Sequence, residues 1–177
     1  IVIQGAGLFS DTESKDTYNA QGEVTQETQR NGTTHRYFYN ALYELTDDFA
    51  NDTSPLSRGQ VDLTANDLRY TYDALGRGVD FITLGGASAG LMSVTGGSVL
   101  NQVERVYDGL GHLNKEYQQV APPTGQITSA PAVFYNYDTS YFANGLNHSR
   151  LKQIVYPNGK IVSYVYGYDG VKGDSTA

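Results

Sequence analysis

The stretch RYTYDALGRGVDF, residues 69–81, decides how this chain is read. Tyr70 and Tyr72 lie two apart, so in an extended chain both rings project from the same face. Asp73, Ala74, Leu75 and Gly76 then make a turn window. A type I turn favours Asp, Asn or Ser at its first position and Gly at its fourth. The Asp73 carboxylate can accept from a backbone N–H two residues on, and Gly76 can take a positive φ without a Cβ clash. Beyond Arg77, Val79 and Phe81 resume the alternation. The stretch predicts strand, tight turn, strand.

The pattern recurs along the chain. Tyr18, Asn19, Gly22 and Val24 take the same relative positions, as do Tyr107, Asp108, Gly111 and Leu113. Tyr37, Tyr39, Asn40 and Leu45 form another copy with Tyr43 where glycine is expected. In Tyr135, Tyr137 and Asp138 the glycine is again missing, and Tyr141 stands in its place. The last copy carries Tyr164, Tyr166, Tyr168, Asp169 and Gly170. The Tyr-Asp or Tyr-Asn pairs begin at residues 18, 39, 72, 107, 137 and 168, with spacings of 21, 33, 35, 30 and 31 residues. Scattered tyrosines would not produce that spacing, so the chain reads as a repeat protein. Its fullest unit predicts a strand over 151–156, a turn at Pro157, Asn158 and Gly159, and a return strand over 160–168. Asn-Gly between two β-rich runs is a strong hairpin signal.

These units resemble the YD repeats of the Rhs/YD-repeat family, which includes bacterial Rhs proteins, toxin-complex components and teneurins. The family unit runs Tyr-x-Tyr-Asp-x-x-Gly-Arg-Leu, then a short strand, then a Pro-Asp/Asn-Gly turn. YTYDALGRG (70–78) matches the opening, and RLKQIVYPNGKIVSYVYGYD (150–169) matches the remainder. The resemblance covers about 18–170, with motifs near 18–24, 37–45, 70–79, 107–113, 135–141 and 164–170. Gly78 departs from it by replacing the usual Leu, and loops are inserted at about 46–66, 84–101 and 121–132. The resemblance implies hairpin strips that spiral into a hollow shell. In bacterial relatives it also implies a self-cleaving Asp-Pro-x-Gly-type region, and no Asp-Pro occurs in this sequence.

Composition sets further bounds. The 177 residues suffice for one domain with a core, yet only 39% are apolar. Fifteen tyrosines without tryptophan suit half-buried rings with hydroxyls near water. With no cysteine there is neither a disulfide nor a thiolate metal site. A net charge of −7 with scattered Lys and Arg argues against nucleic acid. No apolar run is long enough to span a membrane as a helix. The chain begins at Ile1 without a recognisable leader and reads as a single segment, 1–177, excised from a longer repeat protein.

Catalytic chemistry finds little support. The glycine-rich stretch 84–99 lacks both phosphate-loop patterns, and it reads as a loop or flexible hairpin. Ser88, Ser93 and Ser98 have no G-x-S-x-G elbow. His35, His112 and His148 are far apart, and His112 reads as a solvated turn residue. Asp47 and Asp48 are the carboxylate pair hardest to dismiss. The repeat aspartates, replaced by Asn19 and Asn40 in two copies, suit turn caps better than a general base. No D-x-[DN]-x-[DN]-G run supports calcium. The N-x-[ST] matches at Asn31, Asn51 and Asn147 are expected by chance in so polar a chain.

The expected fold is all-β: tandem antiparallel hairpins in a curved or spiralling sheet, part of a shell or partial barrel. No catalytic, cofactor-binding or metal-ligating residue is expected. The expected function is a non-catalytic structural segment of a large secreted or cell-surface protein, most simply bacterial. Its expected partners are flanking YD repeats, with a cargo polypeptide or surface glycan beyond them. The alternative is a carbohydrate- or surface-binding module using tyrosine stripes. Buried stripes would favour structure, and stripes exposed in a groove would favour binding.

Overall fold

Alternating sequence and short turns produce strands that each pair with their chain neighbour. The computed structural model describes residues 2–3, 11–12, 14–29, 32–52, 64–120, 127–138 and 150–165. The strands are β1 (Val2–Ile3), β2 (Asp11–Thr12), β3 (Ser14–Tyr18), β4 (Val24–Gln29), β5 (Thr33–Tyr39), β6 (Leu45–Asp52) and β7 (Asp67–Tyr72). They continue as β8 (Gly78–Ala89), β9 (Val94–Tyr107), β10 (Leu113–Val120), β11 (Ala132–Tyr137), β12 (Leu151–Val155) and β13 (Ile161–Ser163). β1 and β2 form a small sheet of their own. The other eleven form one open sheet in unbroken sequence order from β3 to β13. No helix occurs among the described residues. The expected all-β hairpin architecture is therefore observed. Two compact units make up the chain: Ile1–Glu104 with Gln118–Ser129, and Arg105–Tyr117 with Ala130–Ala177.

The turn at Asp73 has the geometry its sequence predicts. Gly76 N donates to Asp73 O at 3.0 Å, and Gly76 has φ 76°. Asp73 Oδ1 accepts from Leu75 N at 2.9 Å and from Arg77 N at 3.0 Å. The strand register shifts by a residue between Thr71 and Tyr72, as expected where a type I turn is closed by a left-handed residue. Asn40 builds the same turn, with Tyr43 at the left-handed position at φ 65°. Tyr43 is the one non-glycine residue with positive φ among those described. The backbone kept its conformation where the sequence lost its glycine. Gly78, where other copies carry Val24, Leu45 or Leu113, has its missing side-chain position filled by the Phe81 ring.

The glycine-rich stretch is a paired hairpin rather than a loop. β8 and β9 run on through it, from Ala87 opposite Gly96 to Ala89 opposite Val94, and Gly90 N donates to Ser93 O at 2.8 Å. Two of its glycines serve close approach. A Cβ on Gly85 would lie 2.0 Å from the Thr64 carbonyl oxygen, and one on Gly97 would press on Leu84 and Ala87 at 3.2 Å. This arm reaches back to earlier strands: Arg36 Nη2 donates to Gly90 O at 2.9 Å. Asn66 mimics a strand partner, donating from Nδ2 to Ala87 O at 2.9 Å and accepting from Ala87 N at 3.0 Å. Phe49 packs against the arm's own Leu84, Ala87 and Val94 in a buried core edged by Phe38, Ile82, Ala89 and Val99. Full burial of a side chain such as Phe49 or Leu84 contributes about 1.5–3 kcal/mol.

Within the described residues the last hairpin has its first strand at Leu151–Val155 and its return strand at Ile161–Ser163, with Tyr164 N donating to Lys152 O at 2.9 Å; residues 166–168 of the expected return strand lie outside the described residues. Tyr141, Tyr166, Tyr168, Asp169 and Gly170, with Asn31 and Asn147, lie outside the described residues. Tyr43→Gly is expected to stabilise the chain by about 1 kcal/mol, since a left-handed L-residue is strained and glycine is not. A higher midpoint in denaturant unfolding checks this, and an unchanged or lower midpoint contradicts it.

Candidate functional site

The repeat motif residues build the turn that closes each hairpin. In four copies, at Asn19, Asn40, Asp73 and Asp108, the Asx oxygen takes two backbone donors. Asn19 Oδ1 accepts from Gln21 N and Glu23 N, and Asp108 Oδ1 accepts from Leu110 N and His112 N, at 2.9–3.1 Å. Gly22 and Gly111 hold the left-handed position, at φ 89° and 90°. At Asp138 the backbone N donates to Arg150 O at 2.9 Å. In the Pro157 turn the cap is Asn158, whose Oδ1 accepts from Lys160 N at 3.0 Å, with Gly159 at φ 81°.

The Asx residue also pairs with the side chain four residues on. Asn19 Nδ2 donates to Glu23 Oε2 at 2.6 Å, and Asn40 Nδ2 to Glu44 Oε2 at 2.7 Å. Where the cap is aspartate, the partner is basic. Arg77 Nε donates to Asp73 Oδ2 at 2.7 Å, and His112 Nδ1 lies 3.0 Å from Asp108 Oδ2. The Arg77 bond, aided by the backbone donors, holds the Asp73 carboxyl below its ordinary range. That contribution is present above the ordinary carboxylate pKa and is lost as pH falls through the depressed one. His112 is not simply solvated: its ring also stacks on Tyr137, with centroids 4.4 Å apart.

In two units the second tyrosine reaches back to the unit before it. Tyr39 OH donates to Val24 O at 2.9 Å, and Tyr72 OH donates to Leu45 O at 2.7 Å. Val24 and Leu45 occupy equivalent positions, each the first strand residue after the preceding Asx turn. The bond thus ties consecutive hairpins of the sheet. Tyr18 is the corresponding residue of the first copy, on the outermost described strand. It is 58% exposed, and its hydroxyl meets its own strand's Asp16 at 3.4 Å.

Tyr37, Tyr39, Tyr70, Tyr72, Tyr107, Tyr135 and Tyr137 are half-buried, while Tyr164 is exposed. Burial, then the Asp48 and Glu27 charges, pushes Tyr37 up to about 12, and its hydroxyl donates to Glu27 Oε2 at 3.2 Å. Burial likewise raises Tyr39, Tyr70, Tyr72, Tyr135 and Tyr137. These hydroxyls stay protonated, and those of Tyr37, Tyr39 and Tyr72 serve as donors. Tyr70 meets Phe81 edge-on at 6.0 Å.

The carboxylates are engaged separately. His35 Nδ1 lies 2.7 Å from Asp48 Oδ1, whereas Asp47 accepts from Arg69 Nε at 2.9 Å on the opposite face. Arg69 Nη2 also donates to Asp67 Oδ2 at 3.2 Å. Asp67 is fully buried, and burial, then Asp47, pushes its carboxyl up to about 6 against the lowering effect of Arg69. Gln102 Nε2 donates to both Asp80 oxygens, and Glu104 Oε2 accepts from Ile127 N at 2.9 Å. Sequence reading missed this polar face, although Asp67 and Arg69 lie two apart, as partners on one face of a strand must. Among the described residues no group of three or more His, Cys, Asp or Glu is placed to hold a metal ion.

Tyr39→Phe and Tyr72→Phe are each expected to cost about 1 kcal/mol in unfolding free energy, and Tyr18→Phe clearly less. Equal effects of all three on denaturant midpoints would contradict a specific role for the hydroxyl bond between hairpins.

No protein-family model and no curated protein matches the chain. Among solved structures, "Crystal Structure of TcdB2-TccC3-Cdc42" aligns with 71% of this chain and 6% of its own, at 17% identity and a TM-score of 0.33. "Crystal Structure of TcdB2-TccC3 without hypervariable C-terminal region" aligns with 78% of this chain and 8% of its own, at 17% identity and a TM-score of 0.31. The chain therefore spans only 6–8% of the length of these structures, and TM-scores this low assign it no function.

Proposed function

We propose that the chain is a non-catalytic structural segment of a large YD-repeat protein, secreted or on the cell surface and of bacterial type. Its strands extend a sheet by adding hairpins at the edges, as part of an encapsulating shell or adhesive stalk. The observation that carries this reading is the tyrosine bond between successive hairpins, made at Tyr39 and Tyr72 and set up again at Tyr18 on the outer strand. A preceding hairpin would supply Tyr18 with the carbonyl that Val24 and Leu45 supply to the later copies. Flanking repeats are the natural partners of both edges, with a cargo polypeptide or glycan beyond them. The half-buried rings of the stripe tyrosines favour this reading over sugar stacking, which needs open ring faces.

The far edge is suited to the same addition. On β13 the hydrogen-bonding alternation turns the backbone groups of Ile161 and Ser163 away from β12. Exposed backbone of this kind templates another strand. Sedimentation velocity on the 177-residue chain is expected to show concentration-dependent association, weakened by Ser163→Pro. A strictly monomeric chain over the accessible range would count against the edge-addition reading, and a glycan array would then test the binding alternative.

A further inference from the structure

The glycine-rich arm closes over a buried carboxylate, and we propose that this makes it a proton-gated flap: it grips the sheet while Asp67 is protonated and loosens when Asp67 ionises. Asp67 is the first residue of β7 and has no exposed side-chain surface. Its cross-strand neighbours are Phe49 on one side and Leu84 on the other, both members of the core that the arm covers. One carboxyl oxygen accepts from Arg69, while Oδ1 is buried without a hydrogen-bond partner. An ionised carboxylate is costly in such a place, and protonation relieves most of that cost.

The arm is attached around this residue. Arg69 Nη2, which holds Asp67 Oδ2, also reaches the Val94 carbonyl at 3.5 Å. Asn66, the next residue along the chain, carries both side-chain bonds to Ala87. Arg36 fastens the tip through Gly90 O. The charged groups around Asp67 are few. Asp47 shares its face on β6 and Arg69 its own strand, while Asp48 lies on the opposite face of β6. On β8 the same face carries Ile82 and then Asp80, and the arm brings only Ala87, Ala89 and Val94. Nothing from the arm compensates a negative charge.

The direction follows from the carboxyl's rise from 3.8 to about 6 in the closed state. Closure is favoured in full below pH 4, and that advantage is lost as pH rises to about 6; the share of the shift owed to burial under the arm sets its size, with about a hundredfold in the closing equilibrium as the upper bound. The test is amide hydrogen exchange at Ala87, whose N–H is bonded across the contact to Asn66 Oδ1, corrected for intrinsic rates, in the 177-residue chain between pH 4 and pH 6.5. Protection is expected to fall by about tenfold or more in the wild type and to stay nearly constant in Asp67→Asn. An unchanged wild-type arm, or the same pH dependence in Asp67→Asn, overturns the proposal. Should Asp67→Asn not fold, the Asp67 carboxyl is followed by carbon-detected NMR in the wild type. Titration near pH 6, in step with arm protection, supports the flap, and titration at the ordinary carboxylate value overturns it.

Discussion

One side-chain oxygen per hairpin carries the architecture. The Oδ1 of Asn19, Asn40, Asp73 and Asp108 each accepts two backbone N–H groups, which fixes a type I turn closed by a left-handed residue. Turn geometry in turn fixes strand register, and a slip of one residue would move every ring to the opposite face. The register shifts beside Tyr18, Tyr39 and Tyr72 are the local signature of that closure. With register set, the Tyr39 and Tyr72 hydroxyls meet the first carbonyl after the preceding turn. A local cap thereby becomes a bond between neighbouring hairpins.

The residue four positions after the cap completes the turn, and its charge tracks the cap's chemistry. Asn19 and Asn40 donate to Glu23 and Glu44, whereas Asp73 and Asp108 face Arg77 and His112. An aspartate facing glutamate would set two carboxylates against each other, and an asparagine facing arginine would lose the charge-assisted bond. Asn and Asp are therefore equivalent as backbone caps but not as side-chain partners.

Much of this was legible in the sequence. The Asp73 turn, the recurrence of Tyr with Asp or Asn, and the Pro157–Gly159 hairpin follow from local rules, and the structure has each of them. Tyr43 shows why a missing glycine did not end the pattern: the Asn40 cap and its two backbone bonds outweigh the strain of one left-handed tyrosine. The arm was harder to read. Glycine-rich composition suggests freedom, but Gly85 and Gly97 are needed because Thr64, Leu84 and Ala87 leave no room for a side chain. Asp67 was missed for a tertiary reason. Charges alternating along a strand read as a solvent face until another segment folds over them, and the covering segment is the arm.

The most direct test of this account is a charge-swap cycle at one turn. Unfolding free energies would be measured for the native chain, Asn40→Asp, Glu44→Arg and the double substitution, which converts this turn to the Asp73–Arg77 type. The account predicts that each single change destabilises and that the double change restores stability, with a coupling of about 1 kcal/mol. Purely additive effects would contradict it, because cap and partner would then act independently.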